Sequence, residues 1–148
     1  MIKIESSIFI DAPVENVYKY ATNLENLPHW AVNISDVIFE KGKSELGTIA
    51  NLKYTMLGLH LPVTIEVTKF DATNEGCLWK SKISGEVEGE QTWSYTSKDK
   101  GTEVKMTLTS TVPIKAICII ADIRMIQKII GNAFKHSLDN MKFFCENQ

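Results

Sequence analysis

The chain is expected to fold as one α+β domain, a seven-stranded curved antiparallel sheet closed by a long C-terminal helix. Three observations carry this expectation. A short strand, Ile2 to Asp11, runs straight into a helix signal at Ala12-Pro13-Val14-Glu15-Asn16-Val17-Tyr18. Strand and turn patterns then follow one another. One long amphipathic helix, from about Ile114 to Glu146, ends the pattern. A long helix returning to a curved antiparallel sheet is one way to wall off an apolar cavity.

The elements follow from local chemistry. Ile2, Ile4, Ile8 and Ile10 alternate with Lys3, Glu5, Ser7 and Phe9, the period of a half-buried strand. Pro13 suits a first helical turn and Asp11 can accept its free N–H groups. Val14, Val17, Tyr18 and Ala21 share a helix face, and Leu24 to Leu27 predicts a second short helix before Pro28. Val37 and Phe39 lead to a turn at Lys41-Gly42-Lys43. Gly47 restarts the strand through Ile49, Leu52, Tyr54 and Met56 to Gly58. Pro62 to Phe70 places Val63, Ile65 and Val67 on one face, and Asn74-Glu75-Gly76 reads as a hairpin turn. Cys77, Trp79, Ser81 and Ile83 share a face of the next strand, before a break flanked by Gly85 and Gly89. Gln91, Trp93 and Tyr95 alternate on the strand after it. Lys98-Asp99-Lys100-Gly101 makes a polar loop, and Val104, Met106, Leu108, Ser110 and Val112 alternate up to Pro113. The last helix carries Ile119, Ile123, Ile126, Ile130, Phe134, Leu138 and Met141 as one apolar stripe. Gly131 could permit close packing or a kink. About 30 helical residues span ~45 Å, which exceeds most small sheets, so part of this helix should overhang or bend.

Composition narrows the function classes. A chain of 148 residues, 44% apolar and 23% charged, suits a single soluble domain with one core. Net charge is −2, the basic residues form no stripe, and Arg124 is the only arginine, which disfavours nucleic acid. The longest apolar run, Ala116 to Ala121, is far short of the ~20 residues that span a bilayer, so no stable membrane insertion is expected. No basic region followed by an apolar run opens the chain, so no signal peptide is read and a cytoplasmic location is expected. Cys77, Cys118 and Cys145 are odd in number and form no CxxC pair, which fits free thiols.

Ile10-Asp11-Ala12-Pro13-Val14-Glu15-Asn16-Val17-Tyr18 and Asn26-Leu27-Pro28-His29-Trp30 resemble the opening of the polyketide cyclase/dehydrase and lipid-transport family. Gly47, the Trp79 strand and the terminal helix fall where that pattern places them, so the resemblance covers essentially the whole chain. It implies the helix-grip fold shared by START lipid-transfer domains and birch-pollen-allergen proteins. It also implies a cavity between sheet and long helix for an apolar or aromatic molecule. In that family pattern Pro starts the helix, Val and Tyr pack it on the sheet, and Trp plugs one end. Fold alone does not choose among carriers, receptors and cyclases.

The chemical motifs are sparse. His29, His60 and His136 lie in separate segments without ligand spacing, and no GxSxG or phosphate loop occurs, so no catalytic residue, metal or cofactor is expected. Cys77 and Cys118 sit in apolar settings that keep thiols inert. Glu86, Glu88 and Glu90 alternate, and three desolvated carboxylates would not stay ionised together. An outward phase for them turns Val87, Gly89, Gln91, Trp93 and Tyr95 inward. The same phasing gives the other ligand-binding candidates: Leu52, Tyr54 and Met56 from one strand, Ile65 and Val67 from another, Trp79, Ser81 and Ile83 from a third, and Met106, Leu108 and Ser110 from the last. Ile119, Ile123, Ile126 and Ile130 would roof them. A solid core fits the same pattern. The apolar run Ala116 to Ala121 fits packing beneath a loop, or else a portal or a membrane or dimer contact.

Three functions compete. A binding or carrier protein for a small hydrophobic or aromatic molecule (lipid, quinone or polyketide-like), working as a monomer or weak homodimer, fits best. An aromatic cyclase or dehydratase would use Tyr54, Tyr95, Ser81, Gln91 and His29. A protein-interaction module would use the sheet or the apolar helix run.

Overall fold

The computed structural model describes residues 1–148. Seven strands form one antiparallel sheet: β1 (Ile2–Ile10), β2 (Ile34–Lys41), β3 (Ile49–Met56), β4 (Leu59–Thr73), β5 (Gly76–Gly85), β6 (Gly89–Lys98) and β7 (Gly101–Ser110). Their order is β1-β7-β6-β5-β4-β3-β2. Every step from β2 to β7 joins strands that are neighbours in sequence, as hairpins require. The long-range pairing is β1 with β7, in register from Ile2 opposite Ser110 to Ile10 opposite Thr102. The β3–β4 turn is Leu57-Gly58, with both residues at positive φ, the geometry that matches the twist of the flanking strands.

Between β1 and β2 lie α1 (Val14–Thr22), a 3-10 turn (Leu24–Asn26) and α2 (Leu27–Trp30). The expectation for Asp11 fails here. No side chain caps α1, and the Asp11 amide instead donates to Glu146 Oε2 at 2.7 Å. Pro28 lies inside the first turn of α2 rather than after a helix, where its missing N–H has no partner to lose.

The C-terminal segment is two helices, not one: α3 (Ile114–Ile119) and α4 (Ile123–Glu146). Ile120 turns extended, and Asp122 starts α4 afresh by accepting from the Arg124 amide at 2.9 Å. A side-chain acceptor at that position stabilises a helix start and favours a break before it. Gly131 causes no interruption. Ile114 and Ile119 of α3, and Ile123 and Met125 in the first turn of α4, are exposed by about half or more of their surface. No helix is long and apolar enough to cross a membrane.

α4 runs along the edge strand β1 and is stitched to it. Gln127 Nε2 donates to the Lys3 carbonyl at 3.3 Å, and Lys142 Nζ to the Phe9 carbonyl at 2.9 Å. These are carbonyls on the side of β1 that β7 does not use, so the helix also blunts a sheet edge. The other edge, β2, is interrupted by register shifts after Ser35 and Phe39. Beneath α4, Ile126, Leu138 and Met141 are fully buried and join the core with Ile10, Val17 and Val104.

Two outcomes are expected. Leu138→Ala should lower unfolding free energy by about 2–5 kcal/mol in urea titration, because the residue is 1% exposed and leaves a cavity. Glu146 has its carboxyl held below the ordinary range by its hydrogen bond from Lys142 and then by the Asp11 amide. A depressed folded pKa stabilises above the unfolded value and is lost as pH falls through the folded one. The melting-temperature gap between wild type and Glu146→Gln should therefore be present at pH 7 and close toward pH 3.

Candidate functional site

The concave face of the sheet is divided between two fillings. At one end α1 lies against β5, β6 and β7 and packs down on them. At the other end, bounded by α2 and the middle of α4, a cavity of about 140 Å3 remains. Twenty-four residues line it; 20 are hydrophobic and none carries a charge.

Strand phase decides which side chains reach it. Leu52 and Tyr54 come from β3, Val63 and Ile65 from β4, Trp79 and Ile83 from β5, Gln91, Trp93 and Tyr95 from β6, and Leu108 and Ser110 from β7. α4 contributes Ile130, Ala133, Phe134 and Ser137, and α2 contributes Leu27 and Trp30. Trp93 is the centre of an aromatic cluster. It meets Trp30 edge-on at 5.5 Å, stacks with Tyr95 at 6.4 Å and lies 6.3 Å from Phe134. Offset and edge-on contacts of this kind add about 0.5–1.5 kcal/mol each beyond area burial.

The sequence-derived candidates divide. Leu52, Tyr54, Ile65, Trp79, Gln91, Trp93, Tyr95, Leu108 and Ile130 line the cavity, as do Ile83 and Ser110. Met56, Val67, Ser81, Met106 and Ile126 are buried elsewhere in the core. Ser81 has the inward phase, but Trp79 and Ile83 flank it and its short side chain does not reach the cavity surface. Ile119 and Ile123 are not a roof. They are 54% and 48% exposed, because the break before Asp122 turns that stretch away from the sheet. The residues that strand phasing omitted come mostly from the α1–β2 segment: Ala21, Leu24, Leu27, Trp30, Ala31, Val32 and Ile34. The Leu-Pro-His-Trp pattern was the available signal, and Trp30 lines the cavity from α2.

Polar groups in the wall are few. The Trp93 indole donates to Gln91 Oε1 at 2.9 Å, which fixes the amide orientation and leaves its NH2 without a partner in the protein. Ser137 is occupied, accepting from the Val32 amide and donating to the Ala133 carbonyl, both at 2.9 Å. Asn140 donates to the Trp30 carbonyl at 3.3 Å and so ties α2 to α4. By contrast, Trp30 Nε1, Tyr54 OH and Trp79 Nε1 are buried without any partner. Such a group typically costs about 1–3 kcal/mol. Burial pushes the Tyr54 hydroxyl up to about 12 and the Tyr95 hydroxyl well above its ordinary 10, so both stay protonated. His29, His60 and His136 are exposed and do not line the cavity. No three His, Cys, Asp or Glu side chains converge anywhere.

A family model described as polyketide cyclase / dehydrase and lipid transport matches residues 1–143. The chain belongs to that family, and its architecture is the helix-grip fold. Solved structures of the same fold include TTHA0849 from Thermus thermophilus, at 23% identity and a TM-score of 0.76 over 95% of this chain and 94% of that one. A START superfamily protein from Mycobacterium smegmatis aligns at 15% identity and a TM-score of 0.72, covering 98% and 97% of the two chains. The di-domain ARO/CYC StfQ from the steffimycin biosynthetic pathway aligns at 15% identity and a TM-score of 0.70, covering 99% of this chain and 51% of that one. A search of curated protein sequences found no match.

Filling the cavity should stabilise the protein. Ala133→Leu, which extends an existing wall residue into the space, should raise unfolding free energy by about 0.5–2 kcal/mol in urea titration.

Proposed function

We propose that this protein binds a small hydrophobic or aromatic molecule in the cavity between sheet and α4, as a non-enzymatic carrier or receptor. The observation that carries the reading is the uncharged cavity itself. Twenty of its 24 lining residues are hydrophobic and the polar ones are few, the composition of a site that takes an apolar molecule. Size narrows the ligand: an engineered apolar cavity of about 150 Å3 holds benzene. A single-ring molecule matches that size, and a two-chain lipid exceeds it.

Cyclase or dehydratase chemistry is less well supported. Moving a proton at neutral pH needs a group that titrates near it. The ionisable groups of the wall are Tyr54 and Tyr95, and burial holds both protonated. The protein-interaction reading draws its support from the exposed Ile114, Ile119, Ile123 and Met125. Concentration-dependent mass in light scattering is the measure of self-association through that face.

The deciding experiment is native mass spectrometry of the purified protein, with denaturing extraction of whatever it carries, and thermal shift against small aromatic compounds. A co-purifying apolar compound, or a rise in melting temperature lost in Ala133→Leu, supports the reading. A clean mass together with no shift for any compound sinks it. All three tryptophans of the chain line the cavity, so intrinsic fluorescence reports occupancy directly.

A further inference from the structure

A second concavity lies outside the apolar cavity and shares no lining residue with it. It is an open groove of about 380 Å3 between β1 and α4. Lys3 and Glu5 come from the strand, and Arg124, Gln127, Lys128 and Gly131 from the helix. Gln127 ties the two walls together by donating to the Lys3 carbonyl at 3.3 Å. Three cations therefore share the groove with one carboxylate. Lys3 pairs with Glu5 at 3.1 Å, and Arg124 Nε lies 3.6 Å from Asp122. Lys128 makes no ion pair. Exposed pairs of this kind hold weakly, so Lys3 and Arg124 can turn to another anion.

Helix stability does not account for this set. The first turn of α4 has no acidic residue and carries Arg124, a cation where the helix dipole favours an anion. Lys128 follows four residues later, a like-charge spacing that destabilises a helix. Gly131 comes next on the same face, in mid-helix, where glycine is less stable than alanine. A Cβ there would meet nothing within 4 Å, so no close packing inside the protein requires glycine. Arg124 is also the only arginine among 16 basic side chains. Local rules broken together at one place mark a functional surface.

We propose that the groove between β1 and α4 binds a phosphate monoester, held by the Arg124 guanidinium and the Lys128 and Lys3 ammonium groups, with the bare backbone of Gly131 leaving room for its approach. The planar guanidinium can take two phosphate oxygens at once, and each lysine adds a point charge. A dianion answers both cations of the helix, whereas a carboxylate answers one. The site rests on side chains, because the first amides of α4 are taken: Arg124 by the Asp122 carboxylate, Met125 and Ile126 by the Asp122 carbonyl. A free ester and a lipid headgroup present the same chemistry to it. The proposal goes beyond the apolar cavity and does not depend on what that cavity holds.

The test is isothermal titration calorimetry of the whole protein with glycerol 3-phosphate, glycerate and glycerol, at about pH 7.5, where the ester is mostly dianionic. Glycerol 3-phosphate should bind at least about tenfold more tightly than glycerate. Glycerol should not bind, and the ester's affinity should fall as salt is raised. Arg124→Gln and Lys128→Gln should each weaken the ester about tenfold. Their melting temperatures should stay level or rise, since each relieves an unfavourable charge on the helix. Gly131→Ala should raise the melting temperature yet weaken the ester. Lys135→Gln, an exposed lysine of α4 outside the groove, should change neither. Co-sedimentation with phosphatidylcholine vesicles containing phosphatidic acid, the same headgroup on a lipid, separates the sources. Ester binding without vesicle binding assigns a soluble ester, and vesicle binding lost in Arg124→Gln assigns a headgroup. Equal affinity for glycerol 3-phosphate and glycerate would overturn the site. So would binding that survives in both Gln variants, or no binding of either ester or vesicles.

Discussion

The attachment of α4 to the edge strand β1 is the constraint on which the rest depends. The helix could bury its apolar stripe across the middle of the sheet, and a filled core would result. Instead Gln127, Lys142 and Glu146 tie it at both ends to the backbone near Lys3, Phe9 and Asp11. The apolar residues under it, Ile126, Leu138 and Met141, complete that contact. The centre of the concave face over β3 to β6 is then left for other elements to cover. α1 covers one end of it, and α2 leans over the other, held to α4 by Ser137 and Asn140. The cavity is the space this arrangement does not fill.

Trp93 joins the cavity to the fold. Its ring touches one ring from α2, one from its own strand and one from α4. Its indole nitrogen orients Gln91. The side chains that shape the site are therefore also those that set the distance between helix and sheet.

The sheet was legible because its chemistry is local. Alternation in β3 to β7 placed Leu52, Ile65, Trp79, Trp93 and Leu108 on the inward face, and hairpin turns made strand order follow sequence order. Phase alone does not tell where along a strand the cavity ends. Val67 and Met106 share the inward face but pack in the core away from it. The helical part was less legible for a different reason. A continuous apolar stripe from Ile119 to Met141 suits one helix, yet Ile120 is extended and Asp122 accepts from the Arg124 amide where the helix starts again. The contributions of Trp30 and Ser137 depend on how α2 meets α4, a tertiary relation with no sequence period.

The pairing of β1 with β7, sealed by α4, has a consequence for folding. β1 finds its sheet partner about a hundred residues later in the chain, at Gly101–Ser110, and its helical cover only at Ile123–Glu146. Until that pairing forms, the apolar face of β1 with Ile2, Ile4, Ile8 and Ile10 lacks its neighbours. Contacts so distant in sequence form slowly, and exposed strand edges associate with whatever is near. Completing the sheet therefore closes a loop that spans most of the chain, a slow kind of contact to make.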